Sequence, residues 1–432
     1  MIFMIQGIFY KYTNNFRNYA NPLSYLLISS EVTIFAKKKI NKSMKKWYLF
    51  LVAVLGLTAC GNDAGRAISD EQLAAVFSLA EQQYVMLDEQ LTDSTMPRTL
   101  NADGTLRTSD LNWWCSGFFP GSLWYIYEFG QSPAIRDMAL KQTQKLKPLL
   151  EMHTDHDIGF QLNCSYGNAY RLTDDENCRE VLVAGAQKLA QRMNPTTGVI
   201  RSWDFLRKGW KYPVIIDNMM NLELLTVGAR LGGDKQLGQV ARTHADTTMK
   251  NHFRADYTSY HLVNYDPETG EVLSRETVQG YADESAWSRG QAWALYGYSM
   301  MYRETGEARY LAQAKNIGDM LLKRLPDDGI PYWDFDDPQE NPLRDVSAAA
   351  IMASAFIQLS EHTGNKAYFS MAEKQLCTML TPEYLATAGS NGGFLLKHGV
   401  GNIPDNSEVD VPLTYADYYF LEALVRYWKH EG

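Results

Sequence analysis

The sequence predicts an all-α protein, an (α/α)6 barrel of six helical hairpins with long pocket-forming loops on one face. The chain of 432 residues contains twelve segments typical of helices, several with apolar residues at i, i+3, i+4 and i+7. Short polar links and longer loops alternate between these segments, as expected when hairpins close into a ring. No alternation of Val and Ile is long enough for a large sheet. An open helical solenoid is the alternative, although the sequence has no fixed-period repeat.

The predicted helices follow one another along most of the chain. Their spans are 70–91, 116–130, 134–152, 159–173, 176–193, 217–231, 235–251, 287–304, 307–323, 344–362, 365–381 and 412–429. In the helix over 287–304, Ala294, Leu295, Tyr298 and Met301 fall on one face. Every second helix, starting with 116–130, follows a long loop. We expect these helices to form an inner ring whose loops meet at one face.

Two short β-hairpins are expected inside the long loops, near 197–212 and 258–278. The second contains Asp266-Pro267-Glu268-Thr269-Gly270, which is rich in residues that favour tight turns. Neither hairpin is large enough to change the all-α class.

Residues 44–59 have the layout of a bacterial signal peptide. A short basic start at 44–46 precedes an apolar run over 47–59, which at 13 residues is too short to span a membrane. The Leu-Thr-Ala-Cys ending at 57–60 resembles a bacterial lipoprotein processing site, with Cys60 as the lipidated first residue. A short membrane anchor that is never cleaved is the alternative.

This leader divides the chain into parts. Residues 1–43 are interpreted as an upstream extension outside the mature protein, 44–59 as the lipoprotein signal peptide, 60–69 as a tether, and 70–432 as the (α/α)6-barrel domain. We therefore expect an exported bacterial lipoprotein, periplasmic or anchored to the outer membrane by its lipid.

Charge and cysteine content exclude several classes of protein. Without residues 1–59 the chain holds 33 basic and 49 acidic residues, a net charge of −16, which disfavours nucleic acid as a partner. The remaining cysteines show no C-x-x-C spacing and no disulfide framework, and their pairing stays open. They are Cys115, Cys164, Cys178 and Cys377.

Two aspartates stand where a loop becomes a predicted helix. Asp217 ends the apolar run at 213–216, and Asp157 lies in the segment His-Asp-Ile-Gly-Phe at 156–160. A helix cap is the simple interpretation of such residues, because a side-chain oxygen there satisfies free backbone N–H groups. Asp345 and Asp417 are expected to be caps of this kind. Two carboxylates among many aromatic residues are, however, also typical of proteins that act on sugars.

Other kinds of catalytic site are disfavoured by the sequence. The cluster of His153, Asp155, His156 and Asp157 does not match the spacing of a two-histidine zinc motif, and no third ligand is evident, so we expect no metal. The chain has no G-x-S-x-G nucleophile motif and no Gly-rich phosphate loop. Carboxylates, Trp, Gln, His and Arg remain, a set suited to acid–base chemistry on a sugar.

Several short motifs, in one order over residues 70 to 429, resemble the unsaturated glucuronyl hydrolases, glycoside hydrolase family 88. The motifs are Trp114-Cys115-Ser116-Gly117-Phe118, His156-Asp157-Ile158-Gly159-Phe160, Ile215-Ile216-Asp217-Asn218, Ser259-Tyr260-His261, Trp287-Ser288-Arg289-Gly290-Gln291-Ala292-Trp293, Tyr332-Trp333-Asp334-Phe335, Arg344-Asp345 and Asp417-Tyr418-Tyr419. Each is short, but their joint occurrence is specific.

The resemblance implies a cofactor-free hydrolase on an (α/α)6 barrel. Its substrates would be oligosaccharides from polysaccharide lyases that end in a 4,5-unsaturated uronic acid. In the mechanism attributed to this family, a carboxylic acid protonates C4 of the enol ether and water activated by the same group adds at C5. The hemiketal then opens and the glycosidic bond is lost, so the carboxylate spacing rule of ordinary glycosidases does not apply.

The resemblance also implies roles for individual residues. Asp217 would be the general acid and base, and Asp157 would bind ring hydroxyls and raise the pKa of Asp217 through its like charge. Arg289 would hold the uronate carboxylate, with an ion pair to Asp283 or Glu284 as its simpler interpretation. The expected aromatic walls and polar sugar contacts are Trp114, Trp203, Trp287 and Trp293, with His261 and Gln279.

Two other functions stay open at this stage. An unsaturated rhamnogalacturonyl hydrolase would use a related barrel on pectin fragments, although the segment at 156–160 favours the glucuronyl family. A non-catalytic glycan-binding lipoprotein would need the aromatic pocket but no essential acid. The sequence does not name the parent glycan, the sulfate preference or the oligomeric state.

Overall fold

The computed structural model describes residues 66–205, 207 and 209–430, which all fall within one compact unit. The predicted leader and Cys60 lie outside the described residues. In chain order the helices are α1 (Asp70–Asp88), α2 (Phe118–Gly130), α3 (Pro133–Gln144), α4 (Ile158–Leu162, a π-helical turn Asn163–Gly167, and Asn168–Thr173), α5 (Glu176–Ala190), α6 (Asn218–Gly232), α7 (Lys235–Asn251), α8 (Ser288–Thr305), α9 (Ala308–Arg324), α10 (Val346–Thr363), α11 (Lys366–Met379) and α12 (Thr414–Lys429).

The even-numbered helices form a closed inner ring. Helices α2, α4, α6, α8, α10 and α12 pack in that order, and α12 returns to pack against α2. The odd-numbered helices lie outside, each against one or two members of the ring. The inner helices are more buried than the outer ones, and α10 is buried from Val346 to Ser360. The predicted ring of hairpins is therefore confirmed, and an open solenoid is excluded.

Two-residue links join each inner helix to the following outer helix. The first residue of each link has a left-handed backbone and ends one helix, and the second begins the next helix. Glycine takes the first place in three links, since it adopts a positive φ without a steric penalty. The five links are Gln131-Ser132, Asp174-Asp175, Gly233-Asp234, Gly306-Glu307 and Gly364-Asn365. This regularity explains why the predicted helix boundaries lie close to the observed ones.

The two ends of the described chain supply the sixth helix pair. The backbone N–H of Ile68 donates to the Tyr427 hydroxyl at 3.2 Å, and Arg66 Nη1 donates to the Trp428 carbonyl at 3.4 Å. Helix α1 thereby lies outside the junction of α12 with α2. The barrel is closed by contacts between residues more than 350 positions apart.

One predicted helix is shorter than expected. The span 134–152 ends as an α-helix at Gln144, and a 3-10 turn follows over Lys147–Leu150. Pro148 explains the break, because a proline lacks an N–H and its ring clashes with the carbonyl four residues earlier.

Short strands occupy the long loops. They form four antiparallel sheets: β1 (Thr95–Leu100) with β2 (Leu106–Asp110), β3 (Met193–Asn194) with β4 (Val199–Ile200), β5 (Tyr212–Ile215) with β6 (Leu262–Tyr265) and β7 (Val272–Glu276), and β8 (Gly399–Asn402) with β9 (Ser407–Val411). The hairpin expected near 258–278 is β6–β7. The one expected near 197–212 is wrong, because β5 pairs with β6 instead.

All inner helices begin beside these long loops, at one face of the barrel. The residues that immediately precede them are Gly117, Asp157, Asp217, Trp287, Asp345 and Leu413. The two predicted catalytic aspartates and Trp287 thus reach the same face through the fold. None of the described helices combines the length and apolar character needed to cross a membrane.

Candidate active site

Asp157 and Asp217 precede inner helices, but neither side chain caps its helix. A residue that caps has an extended backbone, whereas these two have helical angles, with φ −71° and ψ −3° at Asp157 and φ −54° and ψ −28° at Asp217. Their carboxylates make no hydrogen bond to the first turn of the helix that follows. The cap interpretation is therefore wrong for both, and both carboxylates are available for chemistry.

The β5–β6 pair brings His261 beside Asp217. The backbone N–H of Ile216 donates to the His261 carbonyl at 2.8 Å, directly after the register pair Ile215 and Leu262. His261 Nε2 lies 3.6 Å from Asp217 Oδ2. Burial, and then the charge of Arg289, lower the pKa of His261 to about 3, so its ring is neutral at neutral pH.

Two tryptophans enclose this pair. The Trp287 ring centroid lies 4.7 Å from that of His261, and Trp293 packs against Phe160 at 5.2 Å. Both indoles are buried. The structure therefore places Trp287 and Trp293 beside this pair, and their role as walls for a sugar stays a prediction.

Several buried polar atoms at this point have no hydrogen-bond partner within the described residues. Buried polar groups are normally paired, so a cluster of unpaired ones indicates a place where a polar molecule binds. The atoms are Asp217 Oδ2, both ring nitrogens of His261, the indole nitrogens of Trp287 and Trp293, and the Tyr415 hydroxyl. Alternating hydroxyl groups and apolar faces make a sugar ring a suitable ligand.

Trp114 and Trp203, the two other tryptophans predicted to bind the sugar, have different surroundings. Trp114 is half-buried, with its ring 4.9 Å from that of Tyr415. Trp203 is stacked between Phe205 at 5.1 Å and Trp210 at 5.9 Å, and its ring centroid is 6.0 Å from that of His261. The structure therefore places Trp203 beside His261 and Trp114 beside Tyr415, on separate loops.

The pKa values of the two carboxyl groups are both raised, chiefly by burial. Burial raises the pKa of Asp217 to about 7, against the opposing effects of Arg289, its own backbone N–H and the nearby Trp293 indole. Burial also raises the pKa of Asp157 well above its usual value, and the charges of Asp155 and Asp217 raise it further. The sequence predicted that Asp157 acts on Asp217. Burial is the cause that raises the pKa of Asp217, and the predicted effect of Asp157 on it stays a prediction.

Arg289 has a different environment from the one expected. Its Nη1 donates to the Val400 carbonyl and lies 3.4 Å from Asp345, while its Nη2 donates to the Gly401 carbonyl at 2.7 Å and to Gln279 Oε1 at 3.1 Å. The guanidinium also stacks on the Trp287 ring at 4.4 Å. The pair with Asp283 or Glu284 is wrong. Arg289 anchors β8 to α8, and its role in carboxylate binding stays a prediction.

The two other expected caps differ from each other. The Asp345 side chain accepts from the Ser347 N–H at 3.0 Å and caps α10, as predicted. Asp417 lies inside the first turn of α12 and instead accepts from the backbone N–H groups of Leu395 and Leu396, at 2.8 and 2.9 Å. The prediction for Asp417 is therefore wrong, since its carboxylate fixes the preceding loop.

The histidines of the 153–157 cluster point to separate partners. His153 pairs with Asp204 at 3.0 Å, whereas the buried His156 lies 3.4 Å from Asp157. In the part of the chain that the structure describes, no group of three suitable side chains is arranged to hold a metal ion. Three of the described cysteines are buried free thiols, Cys115, Cys164 and Cys178.

Sequence reasoning missed Asn221, which is fully buried one turn after Asp217 on α6. Its amide lies 3.3 Å from Asp157 Oδ1 and 3.3 Å from the ring of His156. A polar residue on the buried face of an otherwise apolar helix was the available signal.

Comparison with known proteins gives one consistent family. A sequence model described as Glycosyl Hydrolase Family 88 matches residues 87–430. The unsaturated glucuronyl hydrolase of Formosa agariphila is 40% identical over 389 residues, which cover 88% of this chain and 97% of that protein. The unsaturated chondroitin disaccharide hydrolase of Streptococcus pneumoniae is 31% identical over 364 residues, which cover 82% of this chain and 91% of that protein.

Solved structures agree with the sequence comparison. An unsaturated glucuronyl hydrolase specific for heparin matches with a TM-score of 0.81 and 45% identity, over 83% of this chain and 97% of that chain. The likeness extends over nearly the whole described barrel, so the fold predicted from sequence is confirmed.

Proposed function

The chain belongs to Glycosyl Hydrolase Family 88, and we propose that it is an unsaturated glucuronyl hydrolase of glycosaminoglycan degradation. Its substrates are lyase-derived oligosaccharides that carry a 4,5-unsaturated glucuronic acid at the non-reducing end. One observation carries the proposal: two uncapped carboxylates lie among aromatic rings and unpaired buried polar atoms.

Asp217 acts as the general acid and base in this proposal. A carboxyl group with a pKa of about 7 is protonated in a large fraction of molecules at neutral pH, and it becomes a competent base once it has given up that proton. It protonates C4, and the resulting carboxylate takes a proton from the water that adds at C5. The hemiketal at C5 opens and releases the rest of the oligosaccharide. No metal or cofactor is required for these steps.

Asp157 and the surrounding rings bind and orient the sugar. Burial raises the pKa of Asp157, which favours the protonated form that donates a hydrogen bond to a ring hydroxyl, and the neutral His261 can both donate and accept. The half-buried Trp114 and Trp203 provide apolar surface for the faces of the sugar rings, and the buried Trp287 and Trp293 pack behind them around His261 and Asp217. The buried charge of Arg289, together with the positive ends of the inner helices, favours the uronate carboxylate at this face.

The proposal is tested by the loss of ultraviolet absorbance of the 4,5-double bond. Unsaturated disaccharides from lyase digests of chondroitin, hyaluronan and heparin would be compared with a rhamnogalacturonan digest. We expect absorbance to fall with at least one glycosaminoglycan disaccharide, which also identifies the parent glycan. A fall with the pectin fragment alone would support the rhamnogalacturonyl alternative, and no fall with any substrate would support a glycan-binding protein.

The pH dependence of kcat/KM provides a second test. Because the acid must be protonated at the start of the reaction, we expect log(kcat/KM) to fall with a slope of about −1 above about pH 7. The pH at which this fall begins is set by the pKa of Asp217, which burial raises. A rate that stays constant to pH 9 would contradict Asp217 as the proton donor.

Export as a lipoprotein is part of the same proposal. The apolar run at 47–59 and the following Cys60 support a lipid anchor that holds the barrel at a periplasmic or outer-membrane surface. We expect palmitate labelling of the protein in its native cells and no labelling of Cys60→Ser. Equal labelling of the two proteins would contradict the anchor at Cys60.

A further inference from the structure

Asn221 connects the two helices that carry the catalytic pair. It lies on α6, four residues after Asp217, and its side chain is fully buried. Its Oδ1 accepts the backbone N–H of Phe160 at 2.7 Å, in the first turn of α4. Its Nδ2 donates to Asp157 Oδ1 at 3.3 Å and lies 3.3 Å from His156 Nδ1. The Phe160 N–H fixes the orientation of the amide, because only an oxygen can accept from it.

Phe160 is the third residue of α4, and its N–H is one of the free donors at the start of the helix. A side chain at the position of Asp157 normally accepts from that donor. Here Asn221 supplies the acceptor from the neighbouring helix, and the Asp157 carboxylate is left to face the site. We propose that Asn221 is a positioning residue that caps α4 in place of Asp157 and orients the Asp157 carboxylate toward the substrate.

Gly159 supports this arrangement through packing. A Cβ at Gly159 would lie 2.4 Å from Asn221 Oδ1 and 2.6 Å from Asn221 Cα, closer than atoms can approach. The first turn of α4 therefore requires a glycine at the position where Asn221 of α6 packs against it. This contact gives a physical reason for the glycine in the His-Asp-Ile-Gly-Phe segment, whose φ is not unusual.

The Asn221 amide is one of several groups that shift the pKa of Asp157. Asp155 lies on the same loop and accepts the Asp157 N–H at 2.9 Å, while Asp217 faces it from α6. The positive charge of Arg192, in the segment after α5, lowers the pKa of Asp157. The neighbouring His156 is neutral because burial lowers its pKa well below the usual value. The Asn221 amide is the hydrogen-bond donor that stabilises the ionised form of Asp157. Its loss should make Asp157 retain its proton to higher pH.

The inference rests on the proposed catalytic roles of Asp157 and Asp217, and two variants of Asn221 test it. Asn221→Ala removes both the cap and the amide donor. We expect kcat to fall about 100-fold with KM changed by less than about threefold, because the reacting groups are misplaced while the sugar contacts persist. Asn221→Asp retains an acceptor for Phe160 but replaces the donor with an acid. For this variant we expect near-normal thermal stability. We also expect the fall of log(kcat/KM) at high pH to begin at a higher pH, since a third carboxyl group near Asp157 and Asp217 disfavours their ionisation.

A matched control separates this role from simple packing. Asn168 is another buried asparagine on α4, whose Nδ2 donates to the Cys164 carbonyl at 2.8 Å, about three turns away from Asp157. Asn168→Ala should lower the melting temperature and leave the pH profile in place. If Asn221→Ala behaves like Asn168→Ala, with lower stability but an unchanged pH profile, the inference is wrong.

A measurement that needs no turnover tests the inference separately from the proposed reaction. The Asp157 carboxyl carbon can be followed by NMR titration in wild type and in Asn221→Ala, with Asp157→Asn identifying the signal. An upward displacement of the Asp157 titration in the variant supports the positioning role, whether or not any substrate is turned over. Identical titrations would overturn it, even if the hydrolase activity is established.

Discussion

Asp217→Asn should lower kcat by about a thousandfold while KM stays within about threefold of wild type. The asparagine retains the size and shape of the aspartate, so the contacts to the sugar persist. It has no proton to give to C4 and cannot take one from water. Steady-state kinetics and calorimetric binding of an unsaturated disaccharide would measure both quantities. Turnover within about tenfold of wild type would rule out Asp217 as the general acid.

Thermal melting provides the control for this variant. The native protein binds a proton at Asp217 up to about pH 7, whereas the unfolded chain releases it near pH 3.8. Native stability therefore decreases as pH rises through this window, by roughly 4 kcal/mol in total. Asp217→Asn lacks this ionisable group, so its melting temperature should exceed that of wild type by an increasing margin between about pH 4 and pH 7. A lower melting temperature would instead attribute the lost turnover to unfolding.

Asp157→Asn should lower kcat by about a hundredfold, with binding again largely retained. The amide can still donate to a ring hydroxyl, as the protonated acid does. It cannot ionise, however, when positive charge develops near C5 after protonation of C4. In its ionised form the Asp157 carboxyl group stabilises that cation, whereas an amide stays neutral, and Asp217 remains the base for the attacking water.

The two substitutions should not be additive. Asp157 and Asp217 act in the same proton-transfer step, so the double variant should lose little more than Asp217→Asn alone. Losses that multiply would indicate independent roles. A kcat of Asp157→Asn equal to that of wild type would limit Asp157 to a structural role.

Much of the fold was predictable because its signals are local. Helical periodicity and residue pairs such as Gly233-Asp234 and Gly364-Asn365 mark the ends of helices within a few positions. The strands of β8–β9 carry no such signal. The hairpin contains left-handed backbones at Asn406, Glu408 and Asp410, of which Glu408 is a residue type that rarely adopts this conformation.

The site was predictable only in its residue identities. Asp157, Asp217 and Trp287 lie at the starts of inner helices, so the barrel brings them to one face. The environment of Arg289 was not predictable, because its acceptors Val400 and Gly401 are more than 100 residues away. The raised pKa values of the two carboxyl groups were equally unpredictable, since each depends on the burial of the group and on its neighbours.

The central claim is that Asp217 delivers a proton to C4, and the product formed in deuterated water tests it most directly. NMR of the released uronic acid should show deuterium at C4 in a single configuration with wild type, because the proton donor is fixed on one face of the ring. Asp217→Asn should give no such product on the same timescale. Equal deuterium in both configurations would contradict the account. It would mean that the glycosidic bond is cleaved first and that the double bond is lost later, in solution.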